Sequence, residues 1–192
     1  MKVARNGQAR ILSSEEITLL FDKGFLSERD RALFGICLYT GCRIAEACAL
    51  HKADVYGQNG KPKAYVTFRR STTKGKLSTR VVPVCKELRE LLLEYNTGRE
   101  YLFPGRHGLG HIRSDSADKI LREIFQCWGI EGASTHSFRR TALTMMHHQG
   151  IPLNVIRSIS GHKSLAVLQR YLEVADKEKE NAVATLSFRS KA

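Results

Sequence analysis

The sequence predicts an α+β fold: a mainly helical domain with one small antiparallel β-sheet inserted. Three observations carry this. Apolar residues recur at helical spacing from Ile17 to Leu50 and again from Leu88 onward. Between them the period changes, and two short β-prone runs flank a polar, Gly-containing segment. The chain has 192 residues, 42% hydrophobic and 26% charged, which suits one domain with a real core and argues against wholesale disorder.

In chain order, Ser13-Ser14-Glu15-Glu16 reads as a capping box opening a short helix with Ile17, Leu20 and Phe21, stopped by Gly24. Ser27-Glu28-Arg29-Asp30 caps a second helix whose inner face carries Leu33, Phe34, Cys37 and Leu38. Gly41 interrupts it, and a third helix is expected from Arg43 to Leu50. Ala64 to Phe68 and Arg80 to Val84 read as a hairpin joined through Ser71 to Thr79, with an extra strand expected near Val55-Tyr56. Helices resume over Lys86–Tyr95. A loop rich in Gly, His and Arg follows from Thr97 to Arg113, then a helix from Ser114 to Trp128. Further helices are expected over Ser137–Gln149, Leu153–Ser158, Ser164–Tyr171 and Asp176–Leu186. The expected division is an N-terminal segment over 1–12, a folded domain over 13–175 and a tail helix over 176–192.

Lys plus Arg number 31 against 19 Asp plus Glu, a formal charge of +12. That excess favours a polyanionic partner, nucleic acid before a membrane surface, because no basic amphipathic membrane helix stands out. Apolar runs are far shorter than the ~20 residues that span a bilayer. No signal peptide is visible, and a cytoplasmic setting is expected. The five cysteines, Cys37, Cys42, Cys48, Cys85 and Cys127, are odd in number and lack zinc-site spacing, so neither disulfides nor a metal site is expected.

Four segments carry the chemistry. In Thr40-Gly41-Cys42-Arg43-Ile44-Ala45-Glu46, Gly41 permits a tight turn and Arg43 falls in the first turn of a helix. The helix dipole disfavours a cation there, so an Arg in that position points to an anion; Glu46 is three residues on and can hold the guanidinium. Thr73-Lys74-Gly75-Lys76 sits at the hairpin turn, where a Lys can reach a neighbouring site as a proton donor. His136 and Arg139 are three apart at a helix start and can face one anion. Gly161-His162 is followed nine residues later by Tyr171. Each segment alone also has a plain reading: a surface ion pair, an exposed turn lysine, a structural histidine, a packing tyrosine.

Taken together, from about residue 10 to 175, the four segments resemble the catalytic domain of the tyrosine recombinase (phage integrase) family. The resemblance implies site-specific, integrase-type strand transfer on double-stranded DNA through a 3′-phosphotyrosyl intermediate, without metal, cofactor or ATP, in a phage or mobile-element setting. It assigns Tyr171 as nucleophile and Arg43 and Arg139 as clamps on the nonbridging phosphate oxygens. His162 adds a further hydrogen bond, and His136 orients the site or takes the tyrosine proton. Lys74, preferred over Lys76, protonates the departing 5′ oxygen, and Glu46 supports. Guanidinium suits the task because its fork binds phosphate bidentately and stays charged. In phosphoryl transfer, positioning and charge stabilisation carry most of the rate.

The resemblance further implies a homo-oligomer, a tetramer on DNA with a free monomer possible, nucleoid-associated when bound. Two positions depart from the pattern: Ser160 stands where the family usually has an apolar residue, and Glu173 where many members carry His. Full-length members usually have an N-terminal DNA-clamping domain, so this chain is expected to be an excised fragment or a short member, with weaker and less selective binding. The apolar tail residues Ala182, Val183, Leu186 and Phe188 either dock on a neighbouring protomer or fold back on their own core. Competing readings are a nicking-closing activity like the type IB topoisomerases, a non-catalytic DNA-binding module and a metal-dependent nuclease. The last lacks a carboxylate cluster beside His136 and His162.

Overall fold

The computed structural model describes residues 9–72, 78–95 and 100–169, together with 172 and 183. Within them the chain is mainly helical around a two-stranded antiparallel sheet. The first helix, α1 (Ser14–Leu19), opens on a capping box in which Ser13 Oγ accepts from Glu16 N and Glu16 accepts from Ser13 N. It runs on as a π-helical turn, Leu20–Gly24. Ser27 caps α2 (Glu28–Thr40) through Asp30 N at 3.1 Å.

Helix α2 is the centre of the molecule, with Ala32 through Leu38 all buried. That explains its unbroken apolar run, since a helix covered on every side needs no polar face. Gly35 lets α5 (Lys86–Glu94) close on it: a Cβ there would lie 2.5 Å from Leu91 Cδ1. On its other side packs α7 (Thr135–His148). Phe25 stacks on Phe34 at 5.0 Å and Phe34 on Phe138 at 5.7 Å, with Phe21 and Phe125 on the same cluster. This ties α1, α2, α6 (Ser114–Cys127) and α7 into one core.

Two short helices follow α2, namely α3 (Ile44–Cys48) and α4 (Lys52–Val55). The strand expected near Val55-Tyr56 is therefore replaced by α4; Tyr56 makes only an isolated bridge to Pro62. Asp54 accepts from the His51 backbone N–H and caps the helix, while Val55 is fully buried, so capping and tertiary burial override β-propensity. Strands β1 (Tyr65–Phe68) and β2 (Arg80–Pro83) pair with Phe68 opposite Arg80 and Val66 opposite Val82, these four facing inward. Residues 73–77 of the connection lie outside the described residues. The loop after α5 is pinned by Lys52 N to Glu100 O at 2.9 Å and Leu102 N to Leu50 O at 2.8 Å.

After α7 come α8 (Leu153–Ser160) and α9 (Leu165–Gln169), which form with α7 a second small cluster of Leu143, Ile156 and Leu168. The helix expected over 176–186 lies outside the described residues except Val183, which is helical and exposed. Cys37, Cys42 and Cys48 are buried free thiols, and Cys85 and Cys127 are exposed free thiols. Among the described residues no helix is long and apolar enough to cross a membrane.

Candidate active site

Two left-handed glycines build the site. Gly41 (φ 59°) ends α2 and turns the chain into Arg43; Gly161 (φ 68°) ends α8 and turns it into His162. Glycine reaches this region without the Cβ penalty, so each helix can stop abruptly and present the next side chain. Arg43 is the N-cap of α3 rather than a residue of its first turn. Glu46 Oε2 accepts from the Arg43 backbone N–H at 2.9 Å, and Oε1 accepts from Arg43 Nη1 at 3.3 Å. One carboxylate thus caps the helix and holds the guanidinium.

A second cation, which the sequence reading did not single out, completes this pair. Arg80 is buried and donates from Nη2 to Glu46 Oε2 at 3.1 Å, and its guanidinium carbon lies 4.4 Å over the Phe68 ring. The signal was present: period-two alternation puts Arg80 on the same face as Val82, and a cation on an inward face requires a partner. Burial alone would raise the Glu46 pKa; Arg80, the Arg43 backbone N–H and the Arg43 charge outweigh it and leave it below the ordinary carboxylate value.

Arg139, on the first turns of α7, is only 1% exposed. It donates from Nη1 to the Gly41 carbonyl at 2.6 Å, and from Nη2 to the Ser160 carbonyl at 3.0 Å and to His162 Nε2 at 2.9 Å. His162 Nδ1 lies 2.8 Å from Ser160 Oγ. Burial, then Arg139, Arg43 and Arg80 in that order, lower the His162 pKa to about 3, so the imidazole is neutral at physiological pH.

Around these groups opens a cavity of about 500 Å³. Among the described residues its walls carry Arg43, Arg80, Arg157 and Lys163 against the carboxylate of Glu46, with His162 beside them. Among the described residues, four cations facing one carboxylate make a receptor for an oxyanion. Chain segments more than a hundred residues apart, at 41–46 and 157–163, form it together with the start of β2.

The structure thus brings together Arg43, Glu46, Arg139 and His162. Arg139 lies beneath the wall and touches it through His162. His136 is the second residue of α7, one turn before Arg139, with its side chain exposed. Lys74 and Tyr171 lie outside the described residues. Among the described residues no group of three or more His, Cys, Asp or Glu side chains could hold a metal ion.

The family model "Phage integrase family" matches residues 11–178. The chain belongs to the phage integrase family. A tyrosine recombinase of Pseudothermotoga lettingae is 28% identical over 181 residues, covering 91% of this chain and 60% of that protein. The tyrosine recombinase XerC of Rhodospirillum centenum is 29% identical, covering 86% of this chain and 50% of the relative. The integrase of Escherichia phage 186 is 31% identical over 151 residues, 77% of this chain and 38% of that integrase. The chain therefore spans about half to three fifths of the length of the first two of these relatives. Among solved structures, the XerA recombinase shares the fold at a TM-score of 0.74 and 22% identity, over 99% of this chain and 68% of that one. The XerH recombinase bound to a palindromic difH substrate, a post-cleavage complex, also gives 0.74 and 22%, over 96% of this chain and 55% of that one.

Proposed function

We propose that this phage integrase family domain is a DNA strand transferase acting in site-specific recombination. The observation that carries it is the convergence of Arg43, Glu46 and Arg80 with His162 and Arg139 on one basic cavity, built from segments matched by the family model. In the reaction, the Tyr171 oxygen attacks a backbone phosphorus and forms the 3′-phosphotyrosyl ester. The P–O bond to the 5′ oxygen breaks, and Lys74 protonates that oxygen as it leaves. A second 5′ hydroxyl then attacks the phosphotyrosine and expels the tyrosine oxygen. The phosphodiester energy is conserved in the covalent link, so no ATP is consumed.

Charge develops on the nonbridging oxygens, where Arg43 and Arg139 act as fixed cations that need no reorganisation. Glu46 keeps Arg43 aimed, and Arg80 keeps Glu46 charged. His162, neutral at working pH, contributes hydrogen bonding rather than charge. His136 orients the site or takes the tyrosine proton, imidazole being suited to both. The partner is double-stranded DNA, the working assembly a homo-tetramer on it, and the setting cytoplasmic. XerH, whose structure contains its difH substrate, supports the DNA assignment by likeness of fold.

The test is a nicked suicide duplex incubated with the protein in EDTA. An SDS-resistant protein–DNA adduct is expected from the wild type and none from Tyr171→Phe, with duplex binding retained. An adduct that persists in Tyr171→Phe, or strict dependence on Mg²⁺, overturns the proposal.

A further inference from the structure

The left-handed turn that presents His162 is bracketed by two cations that the motif pattern leaves without a task. Arg157 stands in the last turn of α8, and Lys163 directly follows His162. Both are exposed, and both lie on the wall of the cavity that Arg43 and His162 share.

Partnership separates these two from the other cations of the wall. Arg43 and Arg80 share the Glu46 carboxylate, at 3.3 and 3.1 Å. Among the described residues no carboxylate pairs with Arg157 or Lys163, and neither side chain donates a hydrogen bond. The field at the C-terminal end of a helix favours a cation in the last turn, which is the plain account of Arg157. It leaves the side chain's place unexplained. The guanidinium donates to no α8 carbonyl and lines the cavity instead, while the Arg157 carbonyl accepts from Gly161 N at 2.8 Å.

Charge and room indicate the ligand. Glu46 offsets one of the four wall cations, so three positive charges remain among the described residues. A nucleic-acid strand carries one negative charge per linkage. The reacting phosphate therefore cancels one of the three, and a further linkage is needed to engage the others. The volume of about 500 Å³ suits a nucleotide-sized ligand better than a lone oxyanion. Ser78 and Thr79, just before β2, add hydroxyls to the same wall, and hydroxyls beside Lys and Arg are ordinary partners of backbone phosphates.

We infer that Arg157 and Lys163 form a second phosphate subsite, which takes the phosphodiester linkage next to the reacting one on the same strand. Arg43, Arg139 and His162 then hold the reacting phosphate, while Arg157 and Lys163 fix the register of the strand that carries it. The assignment to a DNA strand rests on the strand-transfer reading above; the preference for paired phosphates does not.

The probes are thymidine 3′,5′-bisphosphate, whose two phosphates flank one sugar as they do in a strand, and thymidine 5′-monophosphate. Calorimetric titration of the full chain at low salt is expected to give about 10-fold tighter binding of the bisphosphate, the worth of one added charge-assisted contact. In Arg157→Gln that advantage shrinks to about twofold or less, and Lys163→Gln reduces it as well. Arg157→Lys, which keeps the charge, and Lys119→Gln, which removes a charge outside the cavity wall, retain most of it. Duplex binding is measured in the Tyr171→Phe background. There, one uncharged methylphosphonate at a linkage flanking the reacting phosphate weakens binding about 10-fold, and Arg157→Gln adds little further loss because both changes remove the same contact. An advantage that survives Arg157→Gln, which is what a purely helix-stabilising arginine gives, overturns the inference. So does a bisphosphate bound no more tightly than the monophosphate, or losses that simply add at both flanking linkages. If the wild type forms no adduct, the strand-transfer reading falls, and the bisphosphate comparison still decides whether the second subsite exists.

Discussion

Replacing Arg80 by Met tests the electrostatic logic of the site. Met keeps much of the apolar stem over Phe68 but deletes the guanidinium that donates to Glu46 at 3.1 Å. The Glu46 side chain is only 2% exposed and would be left with Arg43, whose own side chain is 25% exposed and farther away at 3.3 Å. Removing one partner of a buried ion pair typically costs 3–5 kcal/mol. Arg43 and the cap hydrogen bond soften this, so the expected loss is about 3 kcal/mol at pH 7. The pH dependence gives a second signature. Wild-type Glu46 has a depressed pKa, so its contribution is present above the ordinary carboxylate value and is lost as pH falls through the depressed one. In Arg80→Met the effect of burial dominates and the folded-state pKa rises. The penalty then shrinks as pH falls, and the gap between the two proteins narrows from pH 7 toward 4. Urea unfolding at several pH values measures both, and Glu46→Gln in the Arg80→Met background should recover at least half of the loss. A loss below about 1 kcal/mol, or no recovery in the double variant, refutes the claim that Arg80 neutralises a buried carboxylate.

Three further outcomes are expected. Gly161→Ala should lose about 2 kcal/mol in thermal or urea unfolding. A non-glycine residue is strained at φ 68°, and its Cβ would lie 2.5 Å from Arg80 Nη1. Because the His162 pKa drops to about 3 on folding, the unfolded chain binds a proton that the folded one refuses. Stability should therefore fall by roughly 1.4 kcal/mol per pH unit below about 6.5, and the slope should flatten in His162→Gln. Duplex binding measured by fluorescence anisotropy should weaken by about 10³ between 50 and 200 mM salt if six or more phosphates are contacted. Lys163→Gln should lower the salt slope by about one unit.

Much of the fold was legible because its signals are local. The Ser13 and Ser27 caps, the Gly41 stop, the apolar period of α6 and the β1–β2 hairpin depend on neighbours in sequence. The extra strand was misread because Val55 and Tyr56 favour strands by type, whereas α4 is decided by the Asp54 cap and by burial. Arg43 was placed one residue too deep in its helix because its cap comes from Glu46, downstream, rather than from a preceding hydroxyl. Of the site, motif order supplied Arg43, Glu46, Arg139 and His162. Arg80 escaped because its significance is a matter of a partner far away in sequence: it meets Glu46 across 34 positions.

The division of the apolar interior into a large cluster and a three-residue one has a dynamic consequence. Phe138, in the aromatic stack, is joined directly to Arg139, so that guanidinium is anchored in the main core. Helix α9 is fastened mainly by Leu168 to the minor cluster with Leu143 and Ile156. Amide exchange along α9 should consequently outpace that of α2 and the first half of α7. Warming should then loosen α9 while Arg139 is still held by the main core.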